Sequence, residues 1–214
     1  ISDCLVGSEM CIRDRSRSIE ESLVRWGIPY IVVGGLRFYD RREIKDLLAY
    51  LRLLVNPADT VSLLRVINVP KRGIGKTTIQ RLTDAANQLG IPLWDVVSDA
   101  EAVRSLGGRS ARGLLQFCEL LHDLRRQVQV VAPSELIQQV MEKSGYVSEL
   151  IAEGTDEAEE RRRNLQELVN AALQYQEENE EGDLEGFLAT AALSSDADSK
   201  DTAADRVTLM TLHS

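Results

Sequence analysis

Asn68-Val-Pro-Lys-Arg-Gly-Ile-Gly-Lys-Thr-Thr78 decides the fold, because it places cations beside a pair of glycines at the start of a helix. Gly73 and Gly75 have no side chain to shield the backbone, so consecutive amide N–H groups can approach an anion. Thr77 or Thr78 is expected to cap the following helix, whose positive dipole end faces the same anion. The stretch therefore predicts a phosphate-binding turn whose contacts come from Arg72, Gly73, Ile74, Gly75, Lys76 and Thr77.

Three interpretations of this turn compete. Gly75-Lys76-Thr77 is similar to the end of a nucleotide-binding P-loop, with residues 63–70 as the preceding strand. That motif requires a glycine at position 70, which is proline here. The turn of a helix-hairpin-helix fits better, since such a turn holds a nucleic-acid backbone without reading bases. The third interpretation is a tight connection between two helices with no binding role.

The composition is that of an ordinary globular protein, with 214 residues, 43% hydrophobic and 28% charged. No apolar run approaches the length of a membrane span, so no membrane association is expected. The three cysteines and two histidines have no disulfide or metal-ligand spacing. These features predict no metal site and a cytoplasmic location.

The charge is distributed unevenly along the chain. The formal net charge is −9, yet residues 16–82 contain twelve Lys or Arg against six Asp or Glu. Cations concentrated beside the glycine turn can form a positive face while the acidic remainder points elsewhere. An acidic protein of this kind can therefore still bind nucleic acid through one surface.

Cations and aromatic rings alternate at Arg37, Phe38 and Arg41, just after a short β-branched stretch over 28–33. This pattern suits a nucleic-acid single strand, with bases stacked on a ring and phosphates paired with cations. The alternative interpretation places Phe38 in the core.

Helical periodicity dominates the rest of the chain. Two apolar segments, 28–33 and the terminal 207–214, are predicted to be strands instead. The spacing of apolar residues, together with glycine and proline stops, predicts helices over 18–26, 43–55, 77–89, 93–97, 114–128, 133–145, 157–178 and 183–193.

The first fifteen residues have no periodicity and no signal-peptide core. Met10-Cys-Ile-Arg-Asp-Arg15 can be back-translated as ATG TGT ATA AGA GAC AG, which resembles a transposase mosaic-end sequencing adapter. We therefore interpret residues 1–15 as a non-native, adapter-like segment.

Three stretches resemble the superfamily 1A DNA helicases of the UvrD/PcrA/Rep type. The resemblance implies a mainly α fold in which a helical accessory (2B-like) domain with a helix-hairpin-helix turn is inserted in an incomplete RecA-like α/β (2A-like) domain. The implied division is 16–55 as the first RecA-like part, 56–205 as the helical domain, and 206–214 as a return strand that begins helicase motif V. The stretches that carry the resemblance are Gly27-Ile-Pro-Tyr-Ile-Val-Val-Gly-Gly-Leu-Arg-Phe-Tyr-Asp-Arg-Arg-Glu-Ile-Lys-Asp46, Asn68-Val-Pro-Lys-Arg-Gly-Ile-Gly75 and Val207-Thr-Leu-Met-Thr-Leu-His-Ser214.

The same resemblance implies a function. The intact protein would be an ATP-dependent 3′ to 5′ helicase that translocates on single-stranded DNA and unwinds duplex. ATP and Mg²⁺ would bind outside this chain, which holds no catalytic residue and is expected to be inactive alone. Two alternatives remain, namely a helicase-nuclease subunit of the same superfamily and a non-enzymatic helix-hairpin-helix DNA-binding module. The turn would hold duplex DNA, and the single-strand contacts would be Arg37, Phe38, Arg41, Thr211 and His213.

Overall fold

A computed structural model describes residues 18–28, 30–33, 38–179, 182–196 and 207–210. Most of these residues are helical, as the sequence predicts. In chain order the elements are α1 (18–25), β1 (Tyr30–Val33), a 3₁₀ turn (Phe38–Asp40), α2 (Arg42–Val55), α3 (Thr60–Val66), α4 (Lys76–Leu89), α5 (Leu93–Ser98), α6 (Ala100–Leu106), a second 3₁₀ turn (Gly108–Ser110), α7 (Ala111–Arg125), α8 (Pro133–Lys143), α9 (Tyr146–Glu153), α10 (Asp156–Glu178), α11 (Leu184–Asp196) and β2 (Val207–Met210).

Helix α2 lies at the centre of the helical body. It packs against α3, α7, α8, α10 and α11, and its apolar stripe, including Ile44, Leu47, Tyr50 and Leu51, is fully buried. The predicted first RecA-like part, 16–55, includes this helix. Helix α2, however, makes its contacts with the helices that follow it in the chain. The domain boundaries remain a prediction.

Local signals explain where several helices begin and end. Asp59 accepts a hydrogen bond from the Ser62 amide at 3.1 Å and so caps α3. Gly90, with φ of 66°, ends α4 in the left-handed conformation that favours glycine. Gly145, with φ of 83°, separates α8 from α9. Helices α6 and α9, of seven and eight residues, are not among the predicted helices.

The segment before the glycine turn is helical, since α3 covers Thr60–Val66. A P-loop requires a strand at this position, so the P-loop interpretation is wrong. The apolar residues that imitated a strand instead form the buried face of α3, where Leu63 and Val66 are fully enclosed.

The two strands pair in parallel. Tyr30 is in register with Val207, and Val33 is in register with Met210. The pairing brings together segments separated by every helix from α2 to α11, and the carboxyl ends of both strands lie at the same edge. Within the described ranges, no helix is long and apolar enough to cross a membrane.

Candidate functional site

The glycine turn joins α3 to α4 and is held from inside by Asn68. The Asn68 Oδ1 atom accepts hydrogen bonds from the amides of Arg72, at 2.8 Å, and Ile74, at 3.2 Å. The Ile74 side chain is only 2% exposed and anchors the turn in the core. Gly73 adopts φ of +70°, which a side chain would strain. Two of the turn's amides are thus committed to the fold, and the expectation that the Ile74 backbone contacts an anion is wrong.

A second segment, residues 108–113, holds the turn from the side. The Ser110 hydroxyl donates to the Gly73 carbonyl oxygen at 2.9 Å, and the Thr78 hydroxyl donates to Ser110 Oγ at 3.3 Å. Gly113 packs so closely that a Cβ there would lie 2.3 Å from the Arg72 carbonyl oxygen. The turn is therefore rigidly placed before any ligand arrives.

Arg72 was expected to contact phosphate, and the structure corrects this. Its Nη2 donates to Tyr50 Oη at 2.7 Å and to the Ser144 carbonyl at 3.1 Å. Its Nη1 donates to the carbonyls of Pro70, at 3.1 Å, and Val66, at 3.3 Å. The guanidinium also lies 5.3 Å from the centroid of the Phe117 ring. Arg72 points inward because its planar guanidinium donates hydrogen bonds to several carbonyl oxygens around the turn at once.

Tyr50 completes this inward cluster. Its hydroxyl accepts from Arg72 and donates to the Val69 carbonyl oxygen at 2.5 Å. Burial raises the pKa of Tyr50 to about 12, although the nearby Arg72 opposes the rise. Tyr50 therefore remains a neutral hydrogen-bond donor at physiological pH.

The outward face of the turn is open. Gly73, Gly75, Lys76 and Thr77 are all exposed, and a Cβ built on Gly73 or Gly75 would meet nothing within 4 Å. Gly75 is the N-cap of α4, with no side-chain cap and no acidic residue in the first turn. The expected cap from Thr77 or Thr78 is therefore not formed.

This face retains unused hydrogen-bond donors. Within the part of the chain that the structure describes, the amides of Gly75, Lys76 and Thr77 have no acceptor. The side chains of Lys71 and Lys76 are exposed beside them, and neither has an ion-pair partner among those residues. Amides, a helix dipole and two cations thus converge on a site suited to an oxyanion.

The predicted single-strand contacts have different surroundings. Arg37, Thr211 and His213 lie outside the described residues. The Phe38 ring is only 1% exposed and packs edge-on against Tyr39, with centroids 5.0 Å apart. No face of Phe38 is open to a base, so this position agrees with the core alternative and not with stacking.

Arg41 is held within the fold. Its guanidinium lies 5.6 Å from the Phe38 centroid and donates to Asn164 Oδ1 at 2.5 Å. Asn164 in turn donates to the buried Glu43 carboxylate at 2.6 Å. Arg41 therefore links the start of α2 to α10.

Sequence reasoning missed Asn68, Ser110 and Gly113, which shape the turn. Asn68 carried a usable signal, because asparagine before a proline-glycine segment often bonds backbone amides a few residues on. Ser110 and Gly113 carried none, since they lie 37 residues from Gly73 and 41 from Arg72 along the chain and meet the turn only through folding.

The family model for the UvrD-like helicase C-terminal domain matches residues 11–214. Its match begins inside the predicted adapter-like segment, 1–15, which lies outside the described residues and whose origin remains a prediction.

Several curated relatives are named ATP-dependent DNA helicase PcrA. The protein from Leuconostoc citreum is 38% identical over 205 residues, which cover 93% of this chain and 27% of the relative. The protein from Staphylococcus epidermidis is 39% identical over 213 residues, which cover 97% of this chain and 29% of the relative. The chain thus spans less than a third of the length of these relatives. Because the family model covers nearly all of it, the chain belongs to the UvrD-like helicase C-terminal domain family.

Proposed function

We propose that this chain supplies DNA contacts to an ATP-dependent DNA helicase that translocates 3′ to 5′ on single-stranded DNA and unwinds duplex. Its relatives are named ATP-dependent DNA helicase PcrA, and the direction of translocation is part of the proposal. ATP and Mg²⁺ bind outside the 214 residues in this account. The chain's own contribution is to hold DNA.

The outward face of the glycine turn carries the proposal. Three amides at Gly75, Lys76 and Thr77 have no acceptor among the described residues, and they open the 14-residue helix α4. Its dipole favours an anion at this end. The rigid support from Asn68 and Ser110 means that little ordering is required when a phosphate binds.

A duplex backbone fits this face better than base edges do. We assign α3, the turn and α4 to a helix-hairpin-helix, and the turn's exposed side chains are Lys71, Lys76 and Thr77. None of these offers the paired donor and acceptor with which Asn or Gln reads adenine. Binding should therefore be insensitive to DNA sequence.

The single-strand path is assigned to the edge where the strands end. Because β1 and β2 are parallel, with Val33 opposite Met210, both carboxyl ends lie at one edge of the sheet. Ligands bind at this edge in open α/β sheets. We therefore keep Arg37, Thr211 and His213 as the proposed contacts, without the buried ring of Phe38 and without Arg41, whose guanidinium bonds Asn164.

The same pairing supports the proposed architecture. Strands β1 and β2 form a parallel pair, and such pairs occur in RecA-like α/β sheets that helices cover. The helices between them would then be an inserted accessory domain. The packing of α2 within the helical body moves the proposed boundary toward residue 41.

The test measures binding of the purified chain to a fluorescent duplex across a range of salt concentrations. Wild-type affinity should fall steeply with salt and vary little between duplex sequences. Lys76→Gln should make the slope of log K against log salt shallower by about one. Lys143→Gln is the matched control, because Lys143 is exposed on α8 and bonds Gln139. The proposal would be overturned if duplex affinity did not depend on salt concentration. It would also be overturned if Lys76→Gln and Lys143→Gln changed the slope equally.

A further inference from the structure

A second glycine turn lies directly against the first. It connects α6 to α7 through Gly107 and Gly108, and Gly108 adopts φ of +51°. The Ser110 hydroxyl bonds the Gly73 carbonyl at 2.9 Å, and Gly113 contacts the Arg72 carbonyl. Residues 109–112 are thus fixed beside the Gly73–Gly75 turn.

The two segments that meet here contain no acidic residue. Neither 60–83 nor 102–118 includes an Asp or Glu, although the chain has 34. Both segments carry several Lys or Arg. The charged side chains that these two segments bring to the meeting point are therefore all cationic, in a protein of net charge −9.

Arg109 and Arg112 are the cations that the second turn brings to this point. Both are exposed, and neither has an ion-pair or hydrogen-bond partner among the residues the structure describes. Some exposed arginines of the helical body are paired instead, as Arg162 is with Glu159 at 2.7 Å. The two guanidinium groups are therefore available to a ligand from outside.

We infer that Arg109 and Arg112 form a second phosphate-contact segment, which contacts further phosphates of the DNA backbone that the glycine turn binds. This inference rests on the proposed function. Guanidinium groups hold phosphate oxygens with two parallel hydrogen bonds, which lysine cannot do. The contact is electrostatic and reads no bases.

The experiment replaces both arginines in the 214-residue chain and repeats the salt titration on a duplex. Arg109→Gln with Arg112→Gln should make the slope of log K against log salt shallower by about two, because each duplex phosphate contact contributes about 0.9. Thermal unfolding should be unchanged, since both side chains are exposed. Arg109→Lys with Arg112→Lys should restore most of the slope.

The control removes the same charge elsewhere. Arg126→Gln with Arg162→Gln neutralises two exposed cations away from the turns, at the end of α7 and on α10, and should leave the slope unchanged. An unchanged slope in the Arg109 and Arg112 variant would overturn the inference, as would an equal change in the control. If Lys76→Gln still lowers the slope by about one in that case, the proposed function stands without this second segment.

Discussion

The carbonyl oxygen of Arg72 occupies the space that a side chain on Gly113 would need. A Cβ on Gly113 would lie 2.3 Å from this oxygen, whereas a Cβ on Gly75 would meet nothing within 4 Å. One glycine of the site thus faces the protein and the other faces outward. The same small addition, a methyl group, should therefore lower stability at Gly113 and weaken DNA binding at Gly75.

Gly113→Ala should lower the free energy of unfolding by about 1 to 2 kcal/mol. Alanine favours the helix by about 1 kcal/mol, but overlap with a backbone oxygen forces a larger rearrangement. Gly75→Ala should lower the free energy of unfolding by less, about 0.5 kcal/mol, because its φ of −80° suits alanine and only the N-cap preference for glycine is lost. Denaturant unfolding of both variants checks this, and a Gly113→Ala protein as stable as wild type would refute the close packing.

Arg72→Gln should reduce stability by about 2 to 3 kcal/mol, because it removes charge-assisted hydrogen bonds from Tyr50 and three carbonyls. The salt slope of duplex binding by the folded variant should stay at the wild-type value. Denaturant unfolding and a salt titration measure the two effects. Full stability with a slope lowered by about one would instead make Arg72 a phosphate contact.

Stability should fall between pH 10 and pH 12 through Tyr50. Burial raises the pKa of this phenol from 10.0 to about 12, so the unfolded chain loses its proton first and alkali favours unfolding. Below pH 10 both states are protonated, and this contribution is constant. One such group changes stability by at most about 1.4 kcal/mol per pH unit. Tyr50→Phe should flatten this part of the pH profile, and an identical profile in the variant would contradict the assignment.

The purified chain should not hydrolyse ATP, with or without single-stranded DNA. Its one P-loop-like stretch has proline at position 70 and follows a helix instead of a strand. A phosphate-release assay checks this, with Lys76→Gln prepared in parallel to reveal contaminating helicase. DNA-stimulated turnover that persists in wild type and disappears in Lys76→Gln would show that the turn does bind nucleotide.

Local sequence signals predicted most of the fold. Several of these signals can be recognised from residues that are close together in the sequence. They include the apolar stripe of α2, the glycine at position 90 and the charged pattern of α10. The structure confirms α10 over Asp156–Glu178 and α4 over Lys76–Leu89. The short helices α6 and α9 are not among the predicted helices.

The site was only partly predictable, because its contacts join distant segments. The sequence identified the glycines and the surrounding cations, but it could not show which cations face outward. Arg72 turns inward because its acceptors include Tyr50, 22 residues away, and the Ser144 carbonyl, 72 residues away. Phe38 is buried for the same kind of reason, since its amide bonds Glu20 on α1 and its ring packs on Tyr39.

The most direct test of the account compares Gly75→Ala with wild type in binding to a duplex that carries a single-stranded tail, and to the single strand alone. Gln88→Ala, an exposed change near the other end of α4, is the control. We predict that Gly75→Ala weakens duplex binding by the folded protein at least several-fold, because its methyl group blocks approach to the amides, while single-strand binding is unchanged. Wild-type duplex affinity in Gly75→Ala would contradict the claim that the open face of the turn holds the DNA backbone.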